Sequence, residues 1–328
     1  KMRLPKSNKI VAEKYITGLS KFRDKVAKVK LSANESALGP SPKAIKEYLR
    51  LSKNFKRYPD SEGINLRKAL AKKFKLDPSK IILGSGSDQI LELICKTFLK
   101  KGDEVIVPKY SFLIYRLYSQ MNGAKILYSK ENNFTISVND ILKKVSKKTK
   151  IVFLANPNNP TSTYIDKKKL LFLRKKLRSN ILLVVDDAYF EYVKQKNYSS
   201  GLQLFSNFKN VVITRTFSKI YGLAGLRVGW GYGSKEIINS LNQVKPPFNI
   251  NSPALSAAEA AIQDNAWLSK EIKHVKKWND KFYKEFKKLN IETHKSFTNF
   301  LLINFNKIKK NSSKIFRLLA GAGILVRK

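Results

Sequence analysis

Short apolar runs recur along this chain, and segments with helical patterning separate them. A helix between two strands returns the chain to the same edge of a sheet, so strands that alternate with helices pair in parallel. The pattern therefore predicts an α/β fold, with a mainly parallel sheet flanked by helices. The strands are expected at residues 81–83, 104–107, 125–128, 151–154, 181–185 and 211–213, with two more in the C-terminal part at 300–303 and 323–326. Helices are expected at about 43–52, 63–75, 87–100, 138–147, 166–178, 253–263, 266–289 and 311–320.

Polar clusters follow three of these predicted strands at the point where each strand ends. The cluster NPNNPT occupies residues 156–161, DDAY occupies 186–189, and TFSK occupies 216–219. In open parallel α/β sheets, ligands bind outside the carboxyl ends of the strands. We therefore expect the three clusters to converge on one crevice.

Lys219 is the candidate nucleophile of this crevice. A lysine attacks a carbonyl group only as the neutral amine, so burial or a neighbouring cation such as Arg227 must lower its pKa. Hydroxyl groups at Thr216 and Ser218 flank the lysine, and with Arg227 they suggest an anion pocket beside the amine. The alternative for a single lysine in so basic a chain is a solvated surface position, and only the other clusters argue against it.

A second candidate anion site lies at residues 84–88, where GSGSD joins a predicted strand to a predicted helix over 87–100. Glycine permits a tight turn, and the first N–H groups of a helix attract an anion. Gln89 occupies the position of the third glycine in a dinucleotide-binding fingerprint. The loop is therefore interpreted as a phosphate site of another kind.

The chain is strongly basic. It has 65 Lys and Arg residues against 24 Asp and Glu residues among 328, which gives a formal net charge of +41. Such a charge is typical of a polyanion-binding protein, or it attracts a phosphorylated substrate. Because the lysines are spread along the whole sequence, without an arginine-rich arm, we favour solvated basic faces and expect no nucleic-acid partner.

Metal, disulfide and membrane chemistry are not expected. Cys95 is the single cysteine and lies in an apolar helical run, while His274 and His294 are too few and too far apart in sequence to suggest a metal site. No apolar run reaches the roughly 20 residues that span a bilayer. Residues 1–20 show no signal peptide, so a cytoplasmic location is expected.

Taken in order, the three clusters and Arg227 resemble the motifs of the fold-type I aminotransferases that use pyridoxal 5'-phosphate, and within them the histidinol-phosphate aminotransferases. The matching segments also include LSANE at 31–35, GPSP at 39–42, RYPD at 57–60 and GSGSD at 84–88. The resemblance runs from about residue 30 to the end of the sequence. It implies a fold-type I PLP-transferase, a smaller α+β domain beside the large one, and a homodimer with a shared active site.

The resemblance also assigns roles to cofactor-binding residues. Lys219 would form the Schiff base and later shuttle the substrate's α-proton, Asp186 would pair with the pyridinium nitrogen, and the D-x-A-Y spacing selects Asp186 over Asp187. Tyr189 and Asn159 would donate to the ring's phenolate oxygen, although Asn159 by itself is also a common turn residue before a proline. The catalytic residues implied are Lys219, Asp186 and Tyr189.

Further cofactor contacts are implied around the phosphate and the ring. The amides of Ser87 and Asp88 would meet the phosphate together with Thr216, Ser218 and Arg227. Phe112 would stack on the pyridine ring, with core packing as its alternative and Tyr110 as the second choice for the stacking role. Tyr58 would reach the cofactor phosphate of the partner subunit.

Substrate contacts are assigned to Asn34 and Arg327, the latter in a GI-x-x-R motif. The family's arginine for the substrate α-carboxylate is expected beyond the last residue given, which leaves a clipped chain or impaired amino-acid binding as alternatives. Ser162 stands where the family usually has Gly after NNPT, and residues 34–37 read NESA. Both departures are in loops and are expected to be tolerated.

The sequence is thus interpreted as an N-terminal arm at 1–30, a large PLP-binding domain at 31–247 and a small domain at 248–328. The predicted reaction exchanges an amino group between L-histidinol phosphate and 2-oxoglutarate in histidine biosynthesis. An amino-acid-phosphate decarboxylase or an aromatic aminotransferase has the same cofactor motifs and remains an alternative. A basic nucleic-acid-binding protein without catalysis is the alternative of another class.

Overall fold

The computed structural model describes residues 15–22, 25–54 and 56–328. Its centre is a seven-stranded sheet in the order β1-β7-β6-β5-β4-β2-β3. Pairing between neighbours is parallel except at β7, which is antiparallel to both β6 and β1. The strands are β1 (Ile81–Gly84), β2 (Glu104–Pro108), β3 (Lys125–Ser129), β4 (Thr149–Ala155), β5 (Leu182–Asp186), β6 (Val211–Thr216) and β7 (Gly229–Tyr232).

Strand β7 was not predicted from the sequence. It reads Gly-Trp-Gly-Tyr, so it is too short and too rich in glycine to give an apolar pattern. The glycines have a packing reason, since a Cβ at Gly229 would overlap the backbone of Gly86 and Ser87. The small strand therefore lets the start of a neighbouring helix lie directly against the sheet.

Helices cover both faces of the sheet, as the sequence pattern predicts. Those before the C-terminal part are α1 (Pro42–Leu51), α2 (Ile64–Phe74), α3 (Ser87–Phe98), α4 (Leu113–Met121), α5 (Val138–Lys144), α6 (Lys167–Lys176), α7 (Gly201–Phe205) and α8 (Lys235–Val244). Most begin and end within a few residues of the predicted bounds. Ser41 caps α1 by accepting a hydrogen bond from Ala44 N at 3.2 Å, whereas α7 and α8 were not predicted.

The apolar core lies in two layers, one on each face of the sheet. Along β4, Val152 and Leu154 belong to one layer, and Ile151 and Phe153 belong to the other. This alternation is the two-residue period of a strand. Both layers are fully buried along β4, which is why the strand reads as a continuous apolar run rather than an alternating one.

The C-terminal part is mostly helical, with α9 (Ser252–Gln263), α10 (Asn265–Lys288) and α11 (Ser312–Gly321). The strand predicted at 300–303 is wrong, because residues 300–302 are irregular and a short strand, Ile303–Asn304, pairs with Glu292–Thr293. The predicted last strand is present at Ile324–Leu325 and pairs in parallel with Val29–Lys30. This pairing ties the described part of the predicted arm to the C-terminal segment, while residues 1–14 lie outside the described ranges.

Candidate active site

Lys219 lies just after β6, and its amine is held inside the molecule. Its Nζ donates to the carbonyl oxygen of Ala33 at 3.1 Å and lies 5.9 Å from the centre of the Tyr189 ring. Burial lowers the pKa of Lys219, Asp88 opposes the shift, and Arg227 makes a smaller contribution in the same direction as burial. Desolvation, more than a neighbouring cation, therefore favours the neutral amine.

Asp186 ends β5 and is buried. Its Oδ2 accepts a hydrogen bond from the Tyr115 hydroxyl at 2.7 Å, and its Oδ1 accepts one from Ala188 N at 3.2 Å. Burial raises the pKa of Asp186 to about 6, and the bond from Tyr115 works against that rise. A cationic partner would stabilise the charged form of this buried carboxyl group.

Asp187, the neighbour that the motif spacing excludes, points into a different environment. Its two carboxylate oxygens accept hydrogen bonds from Gly201 N and Leu202 N at the start of α7, and the Arg215 guanidinium lies 3.2 Å away. Both carboxylate oxygens of Asp187 are thus bonded to groups of the protein itself. The geometry is thus consistent with Asp186, not Asp187, as the residue that faces a ligand.

Tyr189 and Asn34 meet at the same place from distant parts of the sequence. Asn34 Nδ2 donates to the Tyr189 hydroxyl at 3.3 Å, and the ring of Phe300 packs edge-on against the Tyr189 ring at 5.3 Å. Asn34 has a left-handed backbone (φ 55°), and its carbonyl oxygen accepts from Asn299 Nδ2 at 3.0 Å. The loop that carries Asn34 therefore forms one wall of the crevice.

The predicted anion cup is formed by the start of α3 and by Arg227. Arg227 Nη1 donates to Ser218 Oγ at 3.2 Å, and its Nη2 lies 3.2 Å from Asp88 Oδ2. Thr216 Oγ1 accepts from Ser218 N at 3.0 Å. Gly86 has a φ of 78°, and a Cβ added there would displace the Arg227 guanidinium.

The glutamine that breaks the dinucleotide fingerprint has a clear structural role. Gln89 Oε1 accepts hydrogen bonds from Ser85 N at 2.8 Å and from Asn249 Nδ2 at 2.6 Å. The side chain thus closes the turn that leads into α3. This explains why a third glycine is not needed at this position.

The two candidates for ring stacking differ in their surroundings. Phe112 immediately precedes α4 and packs edge-on against Tyr115, with 5.7 Å between the ring centres. Tyr110 is 44% exposed and packs near Phe134 at 5.9 Å. Phe112 is therefore next to the residue that bonds Asp186, whereas Tyr110 turns toward another loop.

The loop after β4 brings Asn159 to the same edge of the sheet, where the residue is half-buried. Its neighbours fix the loop: Asn158 Nδ2 donates to Tyr110 O at 2.7 Å, and Asn156 exchanges hydrogen bonds with the backbone of Ile165. Ser162, where the family usually has Gly, has a left-handed φ of 58°. Ser162 therefore occupies a backbone conformation that favours glycine, the residue that the family usually has there.

Two predicted site residues lie at the periphery. Tyr58 is 81% exposed, and its ring stacks on Phe248 at 4.6 Å. Arg327 is exposed, donates to Ile16 O at 3.0 Å, and lies over the Tyr15 ring at 5.6 Å. Tyr15 in turn contributes to the electrostatic environment of both Lys219 and Tyr189, which places it near the crevice.

Sequence reasoning missed Tyr115 and Arg215. Tyr115 was one aromatic among several in an apolar helix, and no local signal marked its hydroxyl group. Arg215 did carry a signal, because a charged residue inside an apolar strand is costly without a partner. Among the described residues, no group of three His, Cys, Asp or Glu side chains is placed to hold a metal ion.

The fold and the crevice together define an α/β protein that combines a candidate anion cup with a buried lysine amine. A family model, aminotransferase class I and II, matches residues 26–328. The chain belongs to this family. Membership confirms the resemblance and the predicted class of enzyme, a pyridoxal-phosphate-dependent transaminase.

Individual relatives agree with this placement. The chain is 51% identical over 326 residues to the histidinol-phosphate aminotransferase of Pelagibacter ubique (strain HTCC1062), covering 99% of this chain and 91% of that protein. It is 42% identical over 315 residues to the enzyme of the same name from Rhodopseudomonas palustris (strain BisB18), covering 95% and 86%.

Solved structures share the fold. The histidinol-phosphate aminotransferase of Sinorhizobium meliloti, solved in complex with pyridoxal-5'-phosphate, superimposes with a TM-score of 0.86 at 24% identity, over 92% of this chain and 82% of that one. An aspartate aminotransferase of Thermus thermophilus, solved with maleate, gives a TM-score of 0.81 at 20% identity, over 89% and 81%. The predicted fold class is therefore confirmed. The described residues contain no helix with the length and apolarity that a bilayer crossing requires.

Proposed function

We propose that this protein is a histidinol-phosphate transaminase, which moves an amino group between L-histidinol phosphate and 2-oxoglutarate in histidine biosynthesis. The observation that carries the proposal is the buried Lys219 amine beside the Tyr189 ring, with Asp88 of the candidate cup near the amine and the buried Asp186 near Tyr189. The substrate is inferred from the name of the Pelagibacter relative, which is 51% identical over 99% of this chain.

The residues present fit pyridoxal phosphate. Helix α3 begins at Ser87, and its N-cap residue Gly86 provides no side-chain cap, so the first N–H groups of the helix are free to meet a phosphate. The Arg227 guanidinium lies against Gly86, where a larger residue would displace it. Ser87, Asp88, Thr216, Ser218 and Arg227 would hold the phosphate, and Asp186, Tyr189, Asn159 and Phe112 would hold the ring.

The cofactor would supply a protonated pyridine ring that withdraws electrons from the substrate carbon losing its proton. Asp186 would keep that nitrogen protonated, because a buried carboxylate stabilises a neighbouring cation strongly. Asn34 orients the Tyr189 hydroxyl through its 3.3 Å hydrogen bond. Tyr189 is thereby directed toward the side of the crevice that Lys219 occupies.

Lys219 would act as the general base that carries the α-proton. Burial of the amine lowers its pKa, which favours the neutral form that a base requires. The Ala33 carbonyl oxygen accepts one hydrogen bond from Nζ, so the other N–H group and the lone pair of the neutral amine remain available for the reaction. Exclusion of water by Tyr189 and Phe300, which pack together, would protect the reacting carbon.

The proposal includes a cytoplasmic homodimer. Tyr58 and Phe248 form a stacked aromatic pair that is mostly exposed on the single chain, and Phe248 has a left-handed backbone (φ 53°). Such a pair fits a surface that a second copy covers, with Tyr58 reaching the partner's cofactor. Sedimentation of wild type and Tyr58→Ala would test it, and a wild-type monomer at micromolar concentration would contradict it.

The first experiment is a visible absorption spectrum of the protein with pyridoxal phosphate, recorded before and after adding L-histidinol phosphate. We expect the band of the bound cofactor to disappear with this donor and to return with 2-oxoglutarate. A response to phenylalanine alone would favour an aromatic aminotransferase, and release of carbon dioxide would favour a decarboxylase. No band together with salt-sensitive DNA binding would favour the non-catalytic alternative.

Replacing Lys219 by Ala tests the assignment of the base. Loss of a positioned general base typically costs 10²–10⁴-fold in rate, so turnover should fall by about that factor or more. The matched control is Lys73→Met, since Lys73 is also partly buried but bonds Ile262 O at 2.6 Å, away from the crevice. Retained turnover in Lys219→Ala would contradict the role of Lys219 as the general base.

A further inference from the structure

Asp186 and Asp187 point to opposite faces of the sheet. Residues Leu182 and Val184 of β5 pack in the layer that contains Tyr115, while Leu183 and Val185 pack in the other layer. The two-residue period of the strand places Asp186 on the Tyr115 side. Helix α4, which carries Tyr115, therefore packs on the face of the sheet to which Asp186 points, whereas Asp187 points to the opposite face.

The Tyr115 hydroxyl is fixed by packing. The side chain is 1% exposed, its ring lies parallel to Phe153 at 5.3 Å, and Phe112 packs edge-on against it at 5.7 Å. One turn later, Ser119 Oγ donates to the Tyr115 carbonyl oxygen at 2.7 Å. The hydroxyl that bonds Asp186 at 2.7 Å thus has little freedom to leave it.

The environment of Asp186 makes this hydrogen bond consequential. Burial disfavours its charged form, and the carboxyl groups of Asp187 on the same segment and Asp88 on α3 add repulsion. Tyr115 donates from α4 and opposes these effects, because a hydrogen bond given to a carboxylate stabilises the charge. Burial raises the pKa of Tyr189, which follows on the same segment, and the Asp186 charge adds to that rise.

We propose that Tyr115 is a positioning residue, which holds the Asp186 carboxylate charged and oriented toward the ring nitrogen of the cofactor. The inference deepens the proposed function and depends on it. Tyr115 restrains Oδ2 while Ala188 N restrains Oδ1, so the plane of the carboxylate is set from two sides. Tyr115 itself has no need to touch the cofactor.

Tyr115→Phe tests this role because it removes one oxygen atom and keeps the ring. A hydrogen bond to a charged group is worth roughly a ten-fold change in an equilibrium or more. We expect the dissociation constant of pyridoxal phosphate from the apo-protein to rise about ten-fold, with little change in melting temperature. Tyr232→Phe is the control, because Tyr232 is also buried but lies in β7, where it pairs with Ile81 of the edge strand β1.

A double-mutant cycle separates positioning through Asp186 from general packing. In an Asp186→Asn background, Tyr115→Phe should no longer weaken cofactor binding, since the carboxylate on which it acts is gone. In the apo-protein, the infrared carboxyl band of Asp186 is identified as the band that Asp186→Asn removes. In Tyr115→Phe, this band should move from the position of a carboxylate toward that of a protonated carboxyl group. An equal loss of affinity in both backgrounds, or an unchanged dissociation constant and carboxyl band, would overturn the inference.

These results are distinguishable from failure of the proposed function itself. If wild type and Tyr232→Phe bind pyridoxal phosphate and respond to L-histidinol phosphate, the function stands, and the Tyr115 result is judged alone. If wild type forms no visible band, the proposed function fails first, and the inference that rests on it falls as well.

Discussion

The Arg215 guanidinium lies 3.2 Å from Asp187 in an ion pair whose side chains are 4% and 0% exposed. Three aromatic rings surround the cation: Phe190 lies 3.6 Å from it, Phe74 4.7 Å and Trp230 5.4 Å. Because Asp187 adjoins Asp186 and Arg215 lies on the strand that leads to Lys219, this pair joins the two segments that carry these candidate site residues.

Asp187→Asn should strongly destabilise the protein, because it leaves the buried Arg215 charge without its carboxylate. Breaking a buried pair by removing one partner typically costs about 3–5 kcal/mol. Chemical denaturation of the apo-protein measures this loss. The double substitution Asp187→Leu with Arg215→Met should cost less than Asp187→Asn alone, since no charge is then left unpaired.

The matched control for this pair is Asp280→Asn, which removes an exposed partner of Lys276 at 2.8 Å. Exposed pairs contribute about 0–1 kcal/mol, so its unfolding curve should barely move. Similar small losses for Asp187→Asn and Asp280→Asn would contradict a structural role for the buried pair.

Gly86→Ala should weaken the phosphate cup. The added Cβ would overlap the Arg227 guanidinium, and the positive φ of 78° is unfavourable for alanine. Displacing one charge-assisted phosphate contact should raise the dissociation constant of pyridoxal phosphate by roughly 10–100-fold. Equilibrium dialysis with the apo-protein measures the change.

Gly225→Ala is the control for Gly86→Ala, because a Cβ at Gly225 meets nothing within 4 Å. It lies in the same segment as Arg227 yet leaves the cup free. If Gly86→Ala and Gly225→Ala bind the cofactor equally well, the cup does not depend on close approach at Gly86.

Glu191 should make the stability of the apo-protein fall as the pH rises. Burial raises the pKa of Glu191 to about 8, and the Arg215 charge offsets only part of the rise. The folded state therefore keeps a proton that the unfolded state releases above about pH 4.5, so unfolding is favoured as the pH rises from about 5 to 8.

Glu191→Gln should remove this dependence. Relative to wild type, its free energy of unfolding should increase by about 1 kcal/mol per pH unit between about pH 5 and 7. Denaturant titrations at several pH values measure the difference, and Glu92→Gln on the exposed face of α3 is the control. A difference between Glu191→Gln and wild type that stays constant with pH would refute the buried protonated state.

Much of the fold was readable from the sequence because its core strands are buried on both faces. Residues 151–154 and 181–185 form continuous apolar runs, and each ends in a polar cluster that the structure brings to one crevice. Strand β7 was not readable, since two of its four residues are glycines and its partner β1 comes from a distant segment of the chain. Its existence depends on tertiary contacts that no local pattern records.

The candidate site likewise contains residues that could be predicted from the sequence and a residue that could not. Lys219, Asp186 and Tyr189 stand at strand ends, where chain order predicts convergence, and the structure places them together. Tyr115 could not be selected, because its importance depends on one hydroxyl that meets a residue 71 positions away. The roles of all these residues in catalysis remain predictions for the experiments described above.

Strand β7 also has a consequence for the order of assembly. Gly84 pairs with Gly229, and the start of α3 lies against that glycine, so the anion cup is closed by two segments made at very different times during synthesis. Contacts between residues so far apart in sequence form slowly, because a long loop must close first. A nascent chain that contains the start of α3 but not Arg227 has only one side of the candidate cup, and we expect it to bind the cofactor only after the segment that leads into β7 has been made.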